Sequence, residues 1–238
     1  QCQAMSASET SPAPSAAPTT PTRAMIVVLG LVSAICGLII VGAYEGSLSA
    51  VQENRRVAMQ RAIDKVLPGA AKTVAYFALS DGQIVPAGNA DAPPPGGIVF
   101  HAAYNQPGEL IGIAAEGSAK GYADAVRILF AYSPKRNCIV GMAVVSMRET
   151  PGIGDKILVD SDFQANFKAL DVKLNAEMKA LANEVKAVKH GTKTQPWQID
   201  AISGATVTSR AVGRAINESA QALLPRLVPK PEQIGKAP

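Results

Sequence analysis

Residues 200–209 read Asp200-Ala201-Ile202-Ser203-Gly204-Ala205-Thr206-Val207-Thr208-Ser209, small and hydroxyl-bearing side chains directly ahead of a helical pattern. Gly204 and Ala205 let a ligand come close to the backbone. Free N–H groups at a helix start, and the helix dipole, favour an anion there. Ser and Thr add hydroxyls and an N-cap. The chemistry suited to this composition is phosphate binding, although an ordinary strand–turn–helix junction carries the same short pattern. A second stretch, Arg148-Glu149-Thr150-Pro151-Gly152-Ile153-Gly154-Asp155-Lys156-Ile157, reads as a glycine-bearing turn stiffened by Pro151. Such a turn can stand beside a flat ligand.

The elements that must position these turns are β-rich. Apolar runs at 98–104 and 110–115 predict strands, as do the β-branched and aromatic runs at 126–132 and 139–147. Ser133-Pro134-Lys135-Arg136-Asn137 reads as the hairpin turn between the last two. Shorter strands are expected at 73–79, 83–85 and 185–189. A short helix is expected at 162–170 with Ser161 or Asp162 as N-cap. Residues 173–185 fit helix or loop. Val212, Ile216, Ala220 and Leu223 form the apolar stripe of a helix over 209–224, ended by Pro225. The fold class expected is α+β.

Residues 1–22 are rich in Pro, Ser, Thr and Ala and read as a disordered tail. Residues 24–44 carry no charge. At about 1.5 Å per helical residue that run spans roughly the 30 Å hydrocarbon core of a bilayer. A transmembrane helix is expected at 23–44. An amphipathic helix and connecting segment follow over 45–97, with the helix stopped by Pro68-Gly69, then a folded domain over 98–225 and a tail over 226–238. Arg23 precedes the span, while Arg55, Arg56 and Arg61 follow it. That bias points toward a cytoplasmic C-terminal domain.

The chain of 238 residues has a formal net charge of +4, 47% hydrophobic and 18% charged residues. This composition excludes a wholly disordered chain. Lys and Arg are scattered without aromatic interleaving, which speaks against nucleic-acid binding. Cys2, Cys36 and Cys138 are too few for a four-thiolate iron–sulfur cluster held by this chain alone. His101 and His190 do not make a metal site. No catalytic triad, nucleotide-binding glycine loop or metal-ligand cluster is legible, so no catalytic residue is assigned.

The spacing from Asp200 through Ser203-Gly204-Ala205-Thr206 to Ser209 resembles the flavinylation motif of FMN-binding domains, in which the motif Thr carries FMN through its phosphate. Glu149 to Gly154 resembles the Glu-Thr-Pro-Gly-Leu-Gly loop of the same domains, with Ile153 in place of Leu. Gly121-Tyr122 and the runs 126–131 and 141–145 follow the same order of elements. With the preceding span, the chain is similar to the G subunits of Rnf-type complexes, which link ferredoxin and NAD chemistry to ion movement. The C subunit of the sodium-pumping NADH:quinone oxidoreductase is the second likeness.

The resemblance implies a mixed α+β FMN-binding domain and an electron-relay role inside an assembly, with no catalysis by this chain alone. It implies covalent FMN at Thr206, attached by a Mg²⁺-dependent flavin transferase with FAD as donor. Ser203, Gly204 and Ala205 would line the phosphate and ring edge; Glu149, Thr150 and Ile153 would meet the flavin from the opposite loop. Asp200 would assist flavinylation by binding the transferase's metal. Lys189, upstream of Thr206, would lie near the N1–C2=O edge of the flavin or be a solvated surface Lys. Trp197 and Tyr122 are expected in the core by default, with packing near the ring as the alternative. The partners implied are the other membrane and peripheral subunits of the redox complex and the transferase. The location implied is the bacterial inner membrane, with the FMN domain on the periplasmic side against the local charge bias. Large domains translocate largely regardless of such charge. A membrane-tethered binding or assembly module without flavin, and a stand-alone flavin reductase, are the competing readings.

Overall fold

The computed structural model describes residues 22–88, 93–229 and 234. The tail expected over 1–22 lies outside them except for Thr22. The chain divides into two compact units, residues 1–53 and 54–238. Helix α1 (Thr22–Val66) contributes residues to both units; its part in the first contains the uncharged run and carries large apolar side chains that are exposed along it. Among the described residues it is the one helix long and apolar enough to cross a membrane. It runs unbroken through the expected amphipathic segment and ends before Pro68-Gly69, as the sequence predicts.

The second unit is built on a seven-stranded antiparallel sheet in the order β2-β1-β3-β4-β5-β6-β7. The strands are β1 (Lys72–Ala78), β2 (Ile84–Pro86), β3 (Ile98–Tyr104), β4 (Leu110–Lys120), β5 (Ala125–Ser133), β6 (Cys138–Ser146) and β7 (Leu170–Asp171). Alternation along each strand sends side chains to two faces. One face presents Phe100, Tyr104, Ile113, Val126, Ile128, Phe130 and Tyr132 to helix α3 (Thr206–Leu227). The other presents mostly small residues, Ala103, Ala114, Ala131 and Ala143, under Ala62, Ile63, Val66 and Leu67 from the last turns of α1 and just beyond. Because both faces are covered, the strands read as near-continuous apolar runs. β1 and β2, from the segment expected to be a connector, are full members of this sheet.

Several elements differ from expectation for identifiable reasons. β4 runs to Lys120, five residues past its apolar run, because it keeps pairing with β5 as far as Lys120 opposite Ala125. The polar stretch is used: Glu116 accepts from Arg127 Nε at 2.7 Å, and Ser219 Oγ of α3 donates to the Glu116 carbonyl at 2.8 Å. Helix α2 spans only Ser161–Ala165. Its N-cap is Asp160, not Ser161 or Asp162, with Asp160 Oδ1 accepting from Phe163 N at 2.7 Å. A 3₁₀ turn (Asn166–Lys168) and β7 take the rest of that segment.

Pro225 sits inside α3 rather than ending it. A proline here loses its own i→i−4 bond and crowds the carbonyl four residues earlier, but only two helical residues follow it. Buried Leu224 and Leu227, and Arg226 Nη1 donating to the Gly96 carbonyl at 2.8 Å, hold that turn. Residues 173–185 form neither helix nor continuous strand; α3 side chains receive their amides, Gln221 from Leu181 N and Asn217 from Val185 N, each at 2.9 Å. Ile234, in the expected tail, is 2% exposed, and its carbonyl accepts from Tyr104 Oη at 3.0 Å.

Two further strands, β8 (Lys186–Val188) and β9 (Gln198–Asp200), pair in parallel beside α3. β9 has no signal in the sequence, because three residues carry too little periodicity. These strands deliver the chain into the 200–209 stretch.

Candidate functional site

The turn after β9 is held by one buried hydroxyl. Ser209 Oγ accepts from Ile202 N at 3.1 Å and donates to the Ala205 carbonyl at 3.0 Å, while Ser209 N donates to the same carbonyl at 2.9 Å. Gly204 makes the reversal at φ +82°, a conformation that costs glycine little. Ala205 is the N-cap of α3 and contributes no side-chain bond, so no Ser or Thr caps this helix in the expected way. Thr206 is thus the first helical residue, at a start whose opening amides no N-cap side chain satisfies. Its hydroxyl makes one long contact, 3.5 Å to the Ile202 carbonyl, and is half-buried. It is free to act as an oxygen nucleophile or ester oxygen.

The 149–154 turn stands opposite. Ile153 N and Gly154 N both donate to the Thr150 carbonyl, at 3.2 and 3.0 Å. Glu149 is its anchor. Oε1 accepts from Tyr122 N at 3.0 Å and Ala123 N at 3.3 Å; Oε2 accepts from Thr208 Oγ1 at 2.8 Å. One carboxylate therefore ties three segments: its own loop, residues 121–123 after β4, and the first turn of α3. The fit is close, since a Cβ on Gly154 would stand 2.5 Å from Glu149 Cβ. Gly154 is a glycine for space.

Between these walls lies a cavity of about 420 Å³, lined by Tyr122, Glu149, Thr150, Ile153, Gly154 and residues 204–208. Its volume is within the range usual for small-molecule sites. Tyr122 is 72% exposed and Ile153 49%, so apolar surface is presented where a flat ring could lie. Tyr122 is therefore not a core residue, contrary to its default reading. Nothing in its sequence context distinguishes it; its exposure comes from the short link between β4 and β5.

Not every residue singled out in the sequence reaches this cavity. Ser203 and Asp200 face a second one, about 320 Å³, with Lys156, Asp160, Asp162 and His190. Lys189 is exposed, follows β8 and is absent from the lining of the Thr206 cavity. Trp197 is half-buried and also outside it. Lys193 donates from Nζ to Asn166 Oδ1 at 2.9 Å; burial pulls its pKa down and the Asp200 charge partly restores it. No group of three or more His, Cys, Asp or Glu that could hold a metal ion occurs among the described residues. Thr208 carries no signal in the sequence, because its role depends on a bond to a residue far away along the chain.

Residues 121–221 match the family model described as FMN-binding domain. The G subunit of the proton-translocating ferredoxin:NAD(+) oxidoreductase complex of Clostridium ljungdahlii is 33% identical over 113 residues, 48% of this chain and 54% of that protein. The G subunit of the ion-translocating oxidoreductase complex of Methanosarcina acetivorans is 24% identical over 195 residues, 82% of this chain and 90% of that protein. The G subunit of the Na(+)-translocating ferredoxin:NAD(+) oxidoreductase complex of Acetobacterium woodii is 32% identical over 115 residues, 48% of this chain and 50% of that protein. The chain thus spans about half the length of the Clostridium and Acetobacterium relatives.

In fold it is similar to NqrC of Shewanella oneidensis, with TM-score 0.53 and 20% identity over 69% of this chain and 91% of that one. It is likewise similar to the C subunit of the Na(+)-translocating NADH-quinone reductase of Parabacteroides distasonis, with TM-score 0.58 and 20% identity over 76% and 96%. The expected mixed α+β fold, and the likeness to the Rnf-type G subunits and their relatives in the sodium-pumping reductase, are borne out.

Proposed function

We propose that this chain is a membrane-anchored electron-transfer protein with FMN on Thr206, working within an ion-translocating complex that links ferredoxin and NAD. The observation that carries the reading is the position of Thr206: first residue of α3, in a cavity whose far wall is the 149–154 turn. The residues suit the group. Thr206 Oγ1 and the opening amides of α3 are the phosphate end, where an anion is favoured. Gly204 and Ala205 keep that end open. Tyr122, Thr150, Ile153 and Val207 offer a flat, mostly apolar enclosure for a ring. Glu149, which also lines the cavity, braces the walls through its three bonds. FMN, when bound, supplies a ring that passes one or two electrons.

Attachment needs a flavin transferase with FAD and Mg²⁺. Thr206 Oγ1 would supply the ester oxygen for the FMN phosphate, with AMP the group displaced from FAD and the hydroxyl proton taken up by a base of the transferase. The apolar run of α1 supports a membrane anchor; the periplasmic side of the inner membrane for the FMN domain rests on the resemblance alone.

The test is the full chain co-produced with a flavin transferase, read by intact mass, peptide mapping and in-gel flavin fluorescence after denaturation. The wild type should carry one FMN on the peptide containing Thr206, and Thr206→Ala none. A Thr206→Ala chain that keeps denaturation-resistant flavin would overturn the assignment; a wild type without covalent flavin would favour the binding-module reading.

A further inference from the structure

Asp200 opens the ten-residue motif, yet it lines a different cavity from the one that holds Thr206. Its surroundings are those of a fixed joint. Oδ1 accepts from Gly191 N at 2.7 Å, and Oδ2 lies 3.5 Å from His190 Nδ1. His190 Nδ1 is also 3.1 Å from the Ala201 carbonyl. The Asp200 backbone is held as firmly. Its N–H donates to Asn166 Oδ1 at 3.0 Å, and its carbonyl accepts from Asn166 Nδ2 at 3.3 Å. Asn166 is only 6% exposed, so this amide closes both backbone groups of one residue from inside. One residue on, Ala201 N donates to the Val188 carbonyl at 3.1 Å.

From this joint the chain runs through buried Ala201 and Ile202 to the Ser209 hydroxyl, and so to Thr206. The buried Ala201 and Ile202 thus tie the joint to the start of the turn. The link between the parallel strands β8 and β9 is residues 189–197, with no helix of its own. Parallel strands usually need a crossover of about a dozen residues or more. A short link must be pinned, and the Asp200 carboxylate pins it at Gly191, whose φ is +75°.

We propose that Asp200 is a positioning residue: its carboxylate fastens the 190–191 turn to the end of β9 and thereby fixes the turn that presents Thr206 to the flavin donor. It does not ligate the Mg²⁺ of the transferase. The proposal rests on the reading of Thr206 as the attachment site. Its chemistry favours a brace, because Oδ1 is committed to the Gly191 amide and Oδ2 lies beside His190. The neighbouring Asp160 carboxylate is itself committed to Phe163 N.

Asparagine separates the two roles. Asp200→Asn keeps an oxygen for Gly191 N and loses the charge a metal would need; Asp200→Ala loses both. The full chain in detergent is incubated with transferase, FAD and Mg²⁺, and the initial rate of covalent flavin incorporation is read by in-gel fluorescence. Asp200→Asn should react within about threefold of wild type, and Asp200→Ala about tenfold or more slowly, as for loss of a hydrogen bond to a charged group. The Mg²⁺ concentration for half-maximal rate should be unchanged in Asp200→Asn. Hydrogen exchange at the Gly191 amide should quicken in Asp200→Ala alone. Asp200→Asn as slow as Asp200→Ala, or a raised Mg²⁺ requirement in Asp200→Asn, overturns the proposal, as does Asp200→Ala reacting at the wild-type rate. A wild type that takes no flavin overturns the Thr206 reading and this one with it; failure of Asp200→Asn beside a labelled wild type overturns this one alone.

Discussion

Thr208 and Glu149 show how one hydrogen bond can organise a site from a distance of 59 positions along the chain. Thr208 is 2% exposed, and its hydroxyl donates to a carboxylate, the stronger class of protein hydrogen bond. Thr208→Val removes the donor and leaves Glu149 Oε2 without it. The expected cost is about 1.5–3 kcal/mol of stability, measurable by urea unfolding of the full chain in detergent through its single tryptophan, Trp197. A stability unchanged within about 0.5 kcal/mol, the scatter of neutral surface changes, would remove Glu149 as the brace. At this scale the two turns are legible in the sequence as pattern, because glycine, proline and small hydroxyl residues are constrained by backbone geometry. The division of labour is not. Glu149 as brace, Asp200 as joint and Tyr122 as exposed wall depend on partners that spacing cannot reveal.

The strands show what a pattern can carry. β3 is read at its full bounds, and β5 and β6 within a residue at each end, because each is a run of apolar or β-branched residues covered on both faces. β8 falls inside the strand expected at 185–189, whereas β7 and β9, of two and three residues, are too short for a period and have their bonding completed by neighbouring turns. β3 also carries a pH dependence. Burial lowers the pKa of His101 below its ordinary value of 6.5. The unfolded chain then binds more protons than the folded one between the two values, so stability falls as pH drops below about 6.5 and levels off below the folded value. His101→Gln should flatten that slope between pH 7 and 5, as followed by the same unfolding experiment. An unaltered slope would assign the acid sensitivity to other groups.

For the whole molecule the decisive comparison is charge against bulk. The basic residues Arg55, Arg56 and Arg61 argue for a cytoplasmic domain, yet orientation rules read from charge are weak for long translocated domains. Protease added to intact spheroplasts should therefore digest the 54–238 unit; protection until lysis would reverse the orientation. The brace between Glu149 and Thr208 bears on a different matter, the order of events in the life of the chain. It joins two parts of the polypeptide to each other and asks nothing of a guest. Both walls of the cavity are thus in place as soon as the chain has folded, and on the proposed reading flavin would be added to a finished socket. On that reading folding and loading would be separable in time and in place, with Thr206 already presented to whichever transferase the folded chain meets.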